Sequence, residues 1–129
     1  GITEQADYAA FQNAGYMGLY GGLRVSDIND RKKLSKDQKI LDHMGSEELG
    51  ANLFRITQTE AKMRRDDPQG LDEASSIHYT VGKEVRETIE KIGGTMPEDL
   101  PTPEKSISQI EREQIKQLKQ ERKKLMLDE

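Results

Sequence analysis

The chain is 129 residues long with a net charge of −4, which is room for one modest domain and not for two. Leu, Ile, Val and Phe number 26, near the level at which chains stay disordered, but the low net charge argues for an ordered protein with a thin core that a partner or a second copy completes. The lack of Cys excludes a disulfide scaffold, a thiol nucleophile and Cys-ligated zinc or iron–sulfur, and no apolar run nears ~18 residues and no signal peptide is visible, so the reading is a soluble, cytoplasmic protein without a membrane partner.

Gly1, where a natural start would be Met, leads straight into a helical pattern, so the chain reads as a piece of a longer protein. Val is scarce, Leu, Glu, Gln, Lys, Arg and Ala dominate, and strict alternation is absent, which is helix composition. Tyr8, Phe11, Gly15, Tyr16 and Leu19 mark one face of a first helix over Thr3–Tyr20, stopped by Gly21-Gly22. Ser26 is placed to cap a short second helix with Ile28 as its main contact and Leu34 near its end. Ser35 and Gln38 have capping-box spacing ahead of Ile40, Leu41 and Met44, which predicts a third piece ending at Gly45. Ser46 then caps a longer helix to about Arg65, with Glu47 and Glu48 in its first turn and Leu49, Leu53, Phe54 and Ala61 as its apolar positions.

Asp66-Asp67-Pro68-Gln69-Gly70 breaks the chain. Ala74, Ile77, Val81, Val85, Ile89 and Ile92 form the cleanest amphipathic stripe, predicting a helix over Leu71–Ile92 closed by Gly93-Gly94. Pro97, Pro101 and Pro103 make residues 95–103 an extended connector of limited flexibility. Thr102-Pro103-Glu104 reads as a helix start, and the rest could stay helical nearly to its end. Its narrow stripe of Ile107, Ile110, Ile115, Leu118 and Leu125 must pack on the domain, meet another copy or fray, because isolated helices are marginal in water. The expected fold is therefore all-α: five to six helices in a compact orthogonal or bundle arrangement over residues 1–94, the connector, and a long projecting or swapped C-terminal helix over 104–129.

Charge is unevenly spread. Residues 24–65 carry +3 and residues 66–101 carry −6, so contacts between a basic and an acidic surface are plausible.

Several stretches carry a more specific likeness: Tyr20-Gly21-Gly22-Leu23, Ile40-Leu41-Asp42-His43-Met44-Gly45-Ser46, Asn52-Leu53-Phe54-Arg55 with Thr57-Gln58-Thr59-Glu60, and Gly93 through Ser106. In this order, over Tyr8 to about Gln114, the chain resembles the C-terminal half of the bacterial DNA damage-inducible protein D (DinD) family. The resemblance implies a cytoplasmic bacterial protein made in the SOS response, a preceding BRO-type domain that this chain lacks, and no catalytic motif to carry over.

The residues themselves suggest little chemistry. His43 and His78 sit on different predicted helices without metal-ligand spacing, and a turn role for His43 and a flanking role for His78 are the simpler readings. Asp42, Glu47, Glu48 and Glu60 invite an acid–base or Mg²⁺ reading, but acids at helix starts and on exposed faces have a plainer explanation. No nucleophile or phosphate-cradling loop is marked, so neither an enzyme, a metal nor a cofactor is expected. Arg31, Lys32, Lys33, Lys36 and Lys39 form one basic cluster, and Arg55, Lys62, Arg64 and Arg65 a second. These are candidate contacts for an acidic partner or for weak DNA binding, with Tyr16 and Tyr20 as stacking surfaces. Against a dedicated DNA binder stand Asp27, Asp30 and Asp37 within the first cluster and a pI of ≈ 5.3. The leading expectation is an interaction module that modulates recombinational repair, with the recombinase RecA on single-stranded DNA, or another repair protein, as partner. The alternative is a DNA-binding regulator in which this half mainly dimerises. Homo-oligomerisation through the stripe of the last helix belongs to either.

Overall fold

The computed structural model describes residues 4–127. Five α-helices follow in chain order: α1 (Gln5–Leu19), α2 (Val25–Lys32), α3 (Ser46–Asp66), α4 (Leu71–Lys91) and α5 (Ile107–Leu127), with single 3-10 turns at Ile40–Asp42 and Pro97–Asp99. No strand occurs among the described residues, as the composition predicts. The expected start of the first helix at Thr3, and the last two residues of the expected C-terminal helix, lie outside them.

The pairing of α1 with α4 is the most extensive in the molecule, and α3 packs beside α4 with a smaller contact to α1. Glycine makes the first pairing close. A Cβ on Gly82 of α4 would lie 2.7 Å from the Gly15 carbonyl oxygen and 3.0 Å from the Leu19 nitrogen, while one on Gly18 of α1 would run into the Tyr79 carbonyl. Tyr16, Leu19, Tyr20, Ile28, Ile40, Met44, Val81 and Val85 form the apolar core. Ile28, at 2% exposure, fastens α2 to it; burying such a side chain contributes about 1.5–3 kcal/mol.

Local signals decide where the helices begin, and several differ from the sequence reading. Ser26 lies inside α2, whose first amides are taken by Asp27 Oδ2 (from Arg24 N–H, 2.9 Å) and by Asn13 Oδ1 of α1 (from Val25 N–H, 2.9 Å). Ser35 N–H does donate to Gln38 Oε1 at 2.8 Å, but no helix follows. The stretch before Gly45 is too short to repay nucleation, and Ile40 and Met44 reach the core from an irregular segment instead. Gly45, not Ser46, is the N-cap of α3.

The last helix starts at Ile107 because Ser106 and Gln109 form the capping box there. Ser106 N–H donates to Gln109 Oε1 at 2.8 Å and Gln109 N–H to Ser106 Oγ at 3.1 Å. Thr102, expected as the cap, is used otherwise: its hydroxyl accepts from Lys32 Nζ at 3.3 Å. Residues 95–103 lie on the body, with Pro97 buried in its 3-10 turn. Arg86 of α4 holds them there, donating from Nη1 and Nη2 to the two Glu98 carboxylate oxygens at 2.8 Å each, and from Nη1 to the Leu19 carbonyl at 3.1 Å. Against burial, which raises it, these bonds and the charge of Arg86 and Arg31 keep the Glu98 carboxyl below its ordinary range. α5 leaves the body and buries no residue.

Candidate functional site

The inner face of α3 is polar. Glu48, Asn52, Arg55 and Thr59, spaced three or four apart, are its buried residues. Leu53 and Phe54, expected to face the core, are 48% and 54% exposed. Only Leu49 and Ala51 pack partly against the core from this helix.

These polar groups link four helices in one chain of hydrogen bonds. Lys32, at the end of α2, donates to Glu48 Oε1 at 2.7 Å, to the His43 carbonyl at 3.0 Å and to Thr102. Tyr20, just past α1, donates its phenolic proton to Glu48 Oε2. Asn52 Nδ2 donates to the Tyr20 oxygen at 3.0 Å and to the Glu48 carbonyl at 2.9 Å. Arg55 Nη2 donates to Asn52 Oδ1 at 2.9 Å, and Nη1 to His78 Nε2 on α4. His78 Nδ1–H donates to the Phe11 carbonyl at 2.8 Å, which fixes the tautomer with a lone pair on Nε2 for Arg55.

The electrostatics follow from burial. The Lys32 and Glu48 side chains are 6% and 1% exposed and neutralise each other. Arg55, 2% exposed, has no carboxylate partner among the described residues; its guanidinium lies 4.6 Å from the Tyr16 ring centroid, a cation–π contact. Burial lowers the Arg55 pKa, and it pushes the His78 imidazole down to about 4, with the Arg55 charge adding to the shift. Burial and the bond to Glu48 raise the Tyr20 phenol, so it stays a donor. Every proton of Lys32 meets an acceptor, whereas Arg55 Nε is buried without a hydrogen-bond partner among the described residues; the chain of bonds ties the helices to one another. A cavity of about 200 Å³ adjoins the Lys32–Glu48 pair, walled by Ile28, Pro97 and Leu100.

This arrangement corrects the first basic cluster. Lys32 belongs to the interior, not to a contact surface, because one turn after Ile28 it falls on the inner face of α2. Arg31 stays half exposed, donating to the Glu98 carbonyl at 2.9 Å and lying 3.8 Å from the Asp99 carboxylate. Lys33 takes the left-handed C-cap position of α2 (φ 58°), and it, Lys36 and Lys39 are exposed. Arg64 and Arg65 are exposed in the last turn of α3, whereas Arg55 is buried and Lys62 pairs with Asp66 at 2.9 Å. Sixteen residues of helix, about 24 Å, separate Glu48 beside α2 from Arg64, so the two clusters are separate patches. Tyr16 and Tyr20 are buried and offer no stacking surface.

His43 enters this network only through its carbonyl, which accepts from Lys32, and His78 lies in the core, not beside it. Of the tail stripe, Ile107 is half-buried, while Ile110, Ile115, Leu118 and Leu125 are exposed. Sequence reasoning also missed a groove between α3 and α4. Its two halves, about 410 and 400 Å³, share Phe54, Val85 and Thr88 as lining. The signal was there: Phe54 and Leu53 occupy the face opposite Glu48 and Asn52, so they had to point elsewhere than the core. Among the described residues no three His, Asp or Glu come together as metal ligands, and no helix is long and apolar enough to cross a membrane.

Comparison with known proteins places this arrangement in a lineage. The model of the DinD C-terminal domain matches residues 1–110. The chain is 58% identical over 111 residues to the DNA damage-inducible protein D of Escherichia coli strain K12, a match covering 86% of this chain and 40% of that protein. No solved structure matches.

Proposed function

This chain belongs to the DinD C-terminal domain family, and on that premise we propose that it is a non-enzymatic interaction module of the DNA damage response, acting on recombinational repair through the RecA filament on single-stranded DNA. The name of the Escherichia coli relative supports the cellular setting. The observation that carries the reading is how the charged groups divide. Lys32, Glu48, Arg55 and His78 are bonded to one another inside the domain, whereas Lys33, Lys36, Arg64 and Arg65 are exposed with no ion pair among the described residues. In a chain whose net charge is −4, these exposed lysines and arginines form two local cationic patches, at the end of α2 and at the end of α3, which suit a filament that presents acidic groups.

Fluorescence anisotropy with labelled single-stranded DNA, bare and RecA-coated, tests this at two salt concentrations. The expected response comes from the coated DNA alone, and Lys33→Glu with Lys36→Glu weakens it several-fold. Tight binding to bare DNA that falls by orders of magnitude over a fourfold rise in salt would replace this reading with a DNA-binding regulator. α5 favours that second reading, with six Lys and Arg against three Glu over 107–127. Silence toward both DNAs overturns the reading for this chain.

A further inference from the structure

α5 and the α3–α4 groove are each incomplete. We propose that they complete each other between two copies of this chain: α5 of one protomer seats in the groove of its partner, and the exchange is reciprocal.

The groove is continuous and partly apolar. Phe54 lines both halves at 54% exposure, and Ile92, at 77%, stands at the end beyond Ile89. α5 carries Ile115, Leu118 and Leu125 at 52%, 63% and 69% exposure, and helices in proteins draw most of their stability from packing such a face. Lengths match, since α3, α4 and α5 each have 21 residues, or about 31 Å.

Charge sets the direction. Arg65 lines the groove toward the end of α3, and Glu47 lines it at the start. The first half of α5 is balanced, with Glu111 and Glu113 against Arg112 and Lys116, and its second half is basic, with Lys119, Arg122, Lys123 and Lys124 against Glu121. Its N-terminal half therefore lies at the Arg65 end and its basic C-terminal half at the Glu47 end, antiparallel to α3. No residue of α5 lines the groove of its own chain. Its first turn is fixed elsewhere, by Ser108 donating from N–H and Oγ to Asp42 Oδ1 at 2.9 and 2.8 Å, so the helix leaves the body already aimed outward. Two exchanged helices, each about 31 Å long and about 10 Å across, offer enough face for the roughly 1,200–2,000 Å² that specific dimers bury.

Light scattering on the eluting chain tests the proposal, with circular dichroism to confirm that each variant keeps its helices. The wild type is expected at twice 14.6 kDa. Leu118→Asp on α5 and Ile92→Asp in the groove, both at exposed positions, are each expected to give monomers. Mixed in equal amounts they are expected to recover dimers, because one copy retains a working groove and the other a working helix. A monomeric wild type overturns the proposal. So does a dimer that survives Ile92→Asp, which would mean that α5 pairs with α5 of the other copy, and so does a mixture of the two variants that stays monomeric. Filament binding plays no part in this assay, so the proposal and the filament reading stand or fall separately.

Discussion

Glu48→Gln is the sharpest probe of the interior. The change is isosteric, so no cavity opens and the loss reports on charge and hydrogen bonding alone. It leaves the Lys32 ammonium, 6% exposed, facing an amide where a carboxylate stood at 2.7 Å. Tyr20 keeps an acceptor only if the amide oxygen turns toward it, and then the amide NH₂ faces Lys32. Removing one partner of a buried pair costs about 3–5 kcal/mol, because the other charge stays buried without compensation. A domain of this size has about 5–15 kcal/mol in all, so the loss is about a fifth of its stability or more.

Urea unfolding followed by the helix signal measures it directly. Lys32→Met added to Glu48→Gln removes the stranded cation, and the double variant is expected to regain at least half of the loss. The resulting cycle should give a coupling of about 2 kcal/mol or more, in the range found for residues in one network. A single-variant loss below about 1 kcal/mol, the range of exposed pairs, would refute the reasoning. Lys32 would then belong to the surface, as its place between Arg31 and Lys33 suggests at first sight.

Glycine substitutions should change stability in opposite directions. Gly82→Ala forces a Cβ to within 2.7 Å of backbone on α1 and is expected to destabilise by about 1–3 kcal/mol or more. Gly50→Ala, on an exposed turn of α3 with nothing within 4 Å, should stabilise by about 0.5–1 kcal/mol, and thermal melts of the pair decide it. Between pH 6.5 and 4 the group that titrates is His78. Its folded pKa of about 4 lies below the ordinary 6.5, so the unfolded chain takes up the proton first as pH falls. Stability is whole above pH 6.5 and declines between 6.5 and 4, by up to about 3 kcal/mol. His78→Gln should flatten that slope in urea titrations across the interval, and an unchanged slope would place the acid sensitivity elsewhere.

The helices were legible where the code is local. The α4 stripe, the Gly21-Gly22 stop and the break at Asp66–Gly70 depend on neighbours within a turn or two, and they fall where the structure has them. What was not legible is which polar residues go inside. Glu48 looks like any acid in a first helical turn, and only Tyr20, 28 residues earlier, and Lys32 reveal its use. Arg55 is equally opaque, since its partner His78 comes 23 residues later. The spacing of Glu48, Asn52, Arg55 and Thr59 is as helical as that of any apolar stripe, but a reading weighted toward apolar residues assigned the inner face to Leu53 and Phe54. The same weighting hid the groove that those displaced side chains line. Lys32 was within reach, because Ile28 one turn earlier is the only strongly apolar residue of α2 between Val25 and its end, and it had to point inward.

The buried polar chain makes physical sense in a protein with so little apolar material. Eight core side chains can hold helices together, but they tolerate sliding, since one apolar contact substitutes for another. Hydrogen-bonded charges tolerate much less. If α3 rotated by one residue, Glu48 would leave Lys32 and Tyr20 while Arg55 left Asn52 and His78, and each orphaned group would cost about 1–3 kcal/mol, more for the charges. The network therefore ties the rotation of α3 to the ends of α1 and α2 and to the middle of α4. Glycine at Gly18 and Gly82 does the same for α1 against α4 by leaving room for only one approach. With α3 fixed by its inner face, Phe54 on the outer face has a defined position too, and so has the groove it shares with Val85 and Thr88. A polar interior thus determines the shape of an apolar exterior.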